Sequence, residues 1–135
     1  MNRAAGRRLR ETGVGMGLDE DITYDMEAAI ARFGGDESLA AEVVEMYAAD
    51  VPQLVRTVDE AIKAGDLPSA AAGCHKVRNN FLMFNVEPPA TLSRRIELAA
   101  KAGEAETVGL LWPKAKAAFL ESVVVLRDAA GVRVG

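Results

Sequence analysis

The chain has 135 residues, half of them hydrophobic and 27% charged, which is the balance of one soluble globular domain rather than of a disordered segment. A single histidine, His75, and a single cysteine, Cys74, exclude an intrachain disulfide and a Cys/His zinc site, which takes about four such ligands. The net charge of −4 at pH 7 argues against a nucleic-acid binder, and no apolar run approaches the ~18 residues of a membrane span.

The charge is unevenly placed. Residues 1–10 carry Arg3, Arg7, Arg8 and Arg10 and no acid, so the remainder of the chain is more acidic than the total suggests. No apolar stretch of roughly 7–15 residues follows, as it would in a signal peptide. The next residues, ETGVGMGLDED, are glycine-rich and then acidic. Residues 1–20 therefore read as a flexible basic, Gly-rich N-terminal tail, residues 21–135 as the folded domain, and the cytoplasm as its expected location.

From there on, apolar residues recur at three and four, the period of a helix. The first helix, about Thr23–Phe33, puts Met26, Ile30 and Phe33 on one stripe and ends at Gly34-Gly35. Asp36 caps a long second helix with the stripe Leu39, Val43, Tyr47, Val51, Leu54, Val58 and Ile62, stopped by Gly65. Pro52 removes a backbone donor inside it, so a kink or break is expected near Ala48–Val51. Asp66 and Pro68 start a third helix that runs to about Asn85, with Ala70, Cys74, Val77, Phe81 and Phe84 inward. Asn85 tolerates a left-handed end, and Pro88-Pro89 open a fourth helix carrying Leu92, Ile96, Ala99 and Gly103. The fifth carries Val108, Leu111, Ala115, Phe119, Val123, Leu126 and Ala130, and Pro113 implies a bend in its first turns or a late start. Short connections between long helices favour antiparallel neighbours. The expected fold is all-α: an antiparallel up-down four-helix bundle with an additional short N-terminal helix.

At about 100° per residue, His75 falls about 140° from the centre of the third helix's apolar stripe, so the only histidine faces outward while Cys74 faces in. Ala71 and Ala72, one turn earlier, are small and would admit another surface. Leu82 and Met83 also turn outward and suggest an apolar docking patch. Lys76 and Arg78 flank the histidine, with Arg94 and Arg95 on the next helix as further cations. Positive charge beside an exposed imidazole suits a group that briefly carries a phosphoryl anion. The wheel alone is equally satisfied by a histidine that is merely solvated.

The run His75-Lys76-Val77-Arg78-Asn79-Asn80-Phe81, then Asn85, Leu92-Ser93-Arg94-Arg95-Ile96-Glu97 and Lys101-Ala102-Gly103-Glu104 resembles the histidine-containing phosphotransfer (HPt) domain family. The core pattern of that family is His-x-Leu-Lys-Gly-Ser, a later Gly, Leu-x-x-x-Leu-Glu and a late Ala-Gly-Asp/Glu, and the spacing fits without a gap. Phe33-Gly34-Gly35-Asp36 and the helix after it are similar to the family's opening, so the resemblance covers about residues 20–130. It implies a bundle whose histidine relays a phosphoryl group to or from the Asp of a response-regulator receiver domain. The metal ion such transfers need would belong to the receiver, so no metal or cofactor is expected here. By position, His75 would be the phosphoacceptor and Arg78 would balance the phosphoryl charge. Ala71, Ala72, Lys76, Leu82 and Met83 would dock the partner, a receiver domain or a hybrid sensor histidine kinase.

Val77, Arg78 and Asn80 stand where the pattern has Leu, Lys and Ser, which are mild changes; two further departures matter. Asn85 replaces a Gly and keeps the left-handed option. Asn79 replaces the Gly one turn after the histidine, where a side chain either orients the imidazole through a hydrogen bond or crowds the incoming receiver. The expected activity is that of a monomeric phosphoryl carrier in two-component signalling, without autonomous kinase activity, since no glycine-rich nucleotide loop is present. The alternative is a non-phosphorylated adaptor that binds a receiver or kinase domain. An ordinary helical bundle with a solvated histidine is the third reading.

Overall fold

A computed structural model describes residues 21–134, with side chains up to residue 131; the tail expected over 1–20 lies outside the described residues. Five helices follow in order: α1 Met26–Arg32, α2 Glu37–Lys63, α3 Leu67–Met83, α4 Pro89–Lys101 and α5 Ala105–Val134. Each of the four long helices packs on its chain neighbour, and α5 returns to α2, so the four close into a bundle with α1 resting on α2.

Local chemistry sets the helix ends. The side chains of Asp25, Asp36 and Asp66 accept hydrogen bonds from the backbone N–H groups of Ala28, Leu39 and Ser69, at 3.0, 3.0 and 3.1 Å. Each thereby satisfies one of the donors that a helix start leaves without a partner. Asn85 adopts φ 53° after the end of α3, the left-handed conformation its side chain tolerates. Helix α1 begins at Met26, later than the stripe suggested. The residues before it are extended, because Thr23 exchanges backbone hydrogen bonds of 2.9 and 3.0 Å with Glu87 and Asp25 N–H donates to the Phe84 carbonyl. Ile22 and Tyr24 are buried there and tie the N-terminal segment to the α3–α4 connection.

Both prolines sit inside continuous helices. Of the kink or break expected in α2 near Ala48–Val51, the break does not occur, and of the bend or late start expected in α5, the late start does not. Packing of Tyr47, Val51 and Val55 in the core carries α2 through the single lost backbone bond. The buried face of α2 is Ala40, Val44, Tyr47, Val51, Val55, Val58 and Ala61. The expected row stepped almost entirely by four, and four residues overshoot a 3.6-residue turn by about 40°. Its ends therefore drift off the core: Leu39 is exposed, and Val43 and Ile62 are half-buried.

An aromatic cluster fills the centre. Tyr47 meets Phe81 and Phe84 edge-on at 6.2 and 5.9 Å, and Phe119 lies 4.7 Å from Phe81. Ser122 Oγ donates to the Phe119 carbonyl, so the buried Tyr47 hydroxyl, 2.6 Å from that Oγ, is the donor between them. Towards the other end, Trp112 Nε1 donates to Asp59 at 2.8 Å, and Lys116, also on α5, reaches that carboxylate at 3.4 Å. Together these bonds pin α5 to α2.

Candidate functional site

Helix α3 is embedded on two sides. Its core stripe, Ala70, Cys74, Val77 and Phe81, is buried as its 4, 3, 4 spacing predicts. On the α2 side Gly73 comes so close that a β-carbon would stand 2.5 Å from Val58 Cγ2, and Asn80 donates to Asp50 of α2 at 2.9 Å. On the α4 side His75 and Arg78 meet Glu97, and by helix spacing Ala71 and Leu82 continue the same row. This two-sided contact corrects one placement: Ala71, expected on the outer face, is buried at 3% exposure. Ala72 is exposed, as are Lys76, Leu82 and Met83.

The His75 side chain is 59% exposed, yet its inner edge is held. Nδ1 lies 3.2 Å from Glu97 Oε2 on α4 and 3.3 Å from an Nη of Arg78. Glu97 is the hub of this cluster and is 5% exposed. Arg78 approaches its Oε1 at 2.6 Å and Lys101 its Oε2 at 2.9 Å. Burial works against the Glu97 charge, but hydrogen bonds from Lys101 and Arg78, reinforced by their positive charges, hold the carboxyl down at about 2. It is therefore an anion at neutral pH and an acceptor only. At Nδ1 Arg78 can only donate and Glu97 can only accept. Because the Arg78 guanidinium is already matched by Glu97 and the carboxylate is the closer of the two, the proton is assigned to Nδ1, donating to Glu97, and the lone pair is left on Nε2. Nε2 has no hydrogen-bond partner among the described residues.

Arg78 is thus an interior residue at 16% exposure, committed to Glu97 below the imidazole. Asn79 is exposed and makes no hydrogen bond to the ring, so the orientation assigned to it as one option is supplied by Glu97. Arg94 and Arg95 are exposed on α4 and do not touch the imidazole. Glu97 and Lys101 are the residues that the reading of α3 missed. The signal for them was the i, i+4 acid–base pair on α4, with Glu97 directly after the core position Ile96.

Around the imidazole one carboxylate faces two cations, Arg78 and Lys101, which leaves the site electropositive. Such a site offers a nucleophilic nitrogen and favours an arriving anion. Among the described residues no group of His, Cys, Asp and Glu could hold a metal ion, and no helix is long and apolar enough to cross a membrane. Neither a protein family, nor a curated protein, nor a solved structure matches the chain.

Proposed function

We propose that the protein is a cytoplasmic phosphorelay intermediate of the histidine-containing phosphotransfer kind, which accepts a phosphoryl group on His75 from the aspartyl phosphate of a receiver domain and passes it on. The observation that carries this reading is the half-exposed imidazole whose Nδ1 edge meets a buried carboxylate at 3.2 Å, leaving Nε2 to solvent. The Nε2 lone pair attacks phosphorus in line, the N–P bond forms, and the P–O bond to the aspartyl carboxylate breaks with its electron pair on the departing oxygen. The ring gains positive charge and keeps its Nδ1 proton on Glu97. The reverse step restores neutral imidazole. Because the imidazole is itself the nucleophile, no separate base is needed. Arg78 supports the site from below through Glu97, and Ala72, Lys76, Leu82 and Met83 form the exposed surroundings against which a receiver would dock.

The reading is tested by incubating the protein with phosphorylated receivers from the source organism. The expected product is an acid-labile, alkali-stable label that His75→Gln abolishes. No label from any receiver would overturn it. Receiver binding that survives His75→Ala, with no label on the wild type, would identify an adaptor instead.

A further inference from the structure

We propose that Lys101 of α4 is the mobile cation that meets the phosphoryl group on His75, releasing Glu97 to the imidazole as it does so. This rests on the phosphoryl-carrier reading and adds a residue that the pattern around the histidine does not assign.

Arg78 is poorly placed to follow an arriving group. One Nη does lie 3.3 Å from Nδ1, but on the Glu97 edge of the ring, and the other lies 2.6 Å from Glu97 Oε1. The side chain is 16% exposed, and withdrawing it would strip a buried carboxylate of its nearest cation. Lys101 differs on both counts. Its side chain is 62% exposed, and its ammonium sits on a flexible stem. It also shares one atom with the histidine: Glu97 Oε2 accepts from Lys101 at 2.9 Å and faces His75 Nδ1 at 3.2 Å. Lys76, Arg94 and Arg95 are exposed cations too, but none of them is joined to the imidazole through a common acceptor.

The charges say when the exchange occurs. Before transfer, Glu97 is matched by Arg78 and Lys101, one cation in excess. Transfer brings a phosphoryl group of about −1.5 to −2 and leaves the ring positive. The Nδ1–H of a cationic ring is a stronger, charge-assisted donor, so it takes Oε2 for itself. Lys101 loses its hold there just as three phosphoryl oxygens appear beside it. The proton stays on Nδ1 throughout, and only the ammonium changes partner.

The test loads the full-length protein chemically with potassium phosphoramidate, a small phosphoryl donor, and follows the phosphohistidine by 31P NMR. Only one histidine is present, so one resonance is expected. Its pH-titration midpoint should rise by about half a unit or more in Lys101→Met, because a cation beside the phosphoryl group favours the more charged form. Lys101→Arg should stay with the wild type. Transfer from a phosphorylated receiver should slow about tenfold in Lys101→Met, the scale of one lost charge-assisted hydrogen bond. An unmoved midpoint in Lys101→Met overturns the assignment. Loading by phosphoramidate without transfer from any receiver would defeat the carrier reading alone, since the midpoint still judges Lys101. A wild type that phosphoramidate leaves unlabelled would overturn both.

Discussion

Gly73 of α3 and Val58 of α2 touch so closely that a β-carbon on Gly73 would stand 2.5 Å from Val58 Cγ2. The contact lies two residues before His75, on the side of α3 that faces α2. Gly73→Ala gains about 1 kcal/mol of helix propensity but overpacks a site where the opposing valine is stiff, at about 1–3 kcal/mol. The expected balance is a net loss of up to about 2 kcal/mol, read as a lower denaturation midpoint. Adding Val58→Ala relieves the clash, so the double variant should lose less than the two single changes together. Strict additivity would remove the contact as the cause.

The Glu97 cluster makes a pH prediction whose sign follows from its carboxyl. Held down at about 2 against an ordinary value of 4.5, that group contributes stability which is fully present above 4.5 and is lost as pH falls towards 2. Asp59, lowered to about 2 by hydrogen bonds from Trp112 and Lys63, loses stability over a similar window. Comparison with Glu97→Gln isolates the site's share. At pH 7 this variant should be less stable by about 1–3 kcal/mol, since it leaves Arg78 without its carboxylate. The gap should close as both proteins are unfolded by urea at successively lower pH. A gap of constant size down to pH 2 would show that the charge of Glu97 is not what stabilises the cluster.

The sequence reading worked where one helix face decides the matter. The α3 stripe steps by 4, 3, 4 and 3, as a helix of 3.6 residues per turn requires, and all five of its residues are buried. A wheel with one centre assumes one covered side, and there it failed. Helix α3 is covered by α2 at Gly73 and by α4 at Glu97, so its buried arc is wide enough to take in Ala71. Alanine offers no contrary signal, being at home on either face. The histidine's outward direction was legible for the same reason as the stripe. Its partner was not, because Glu97 meets His75 only through the rotation of α4 against α3, which neither helix's own periodicity contains.

Cys74, beside His75 in sequence, points the opposite way and is fully buried. Burial, and then the negative charge of Glu97, push its thiol up to about 12, so almost no thiolate exists at neutral pH. A disulfide reagent at pH 8 should leave the native protein unmodified and label one thiol per chain in denaturant. Labelling of the native protein as fast as of the denatured chain would place Cys74 at the surface.

On the proposed phosphorelay function, Asn79 allows a test of how tightly a receiver would have to approach. It is exposed, has no hydrogen-bond partner among the described residues, and stands one turn after His75 on α3. Removing its side chain therefore breaks no contact and costs only the propensity difference between Asn and Gly, a few tenths of a kcal/mol. If the phosphoryl donor comes in over this turn, the side chain occupies space that the transition state needs, and a loss of volume acts on rate rather than on stability. Asn79→Gly should then accept phosphate from a receiver faster than the wild type, with an almost unchanged denaturation midpoint. Phosphoramidate, being small, should load both proteins at similar rates. That contrast separates crowding of a protein partner from a change in the imidazole itself. A receiver rate that is unchanged or slower would mean that the partner approaches from another side of His75.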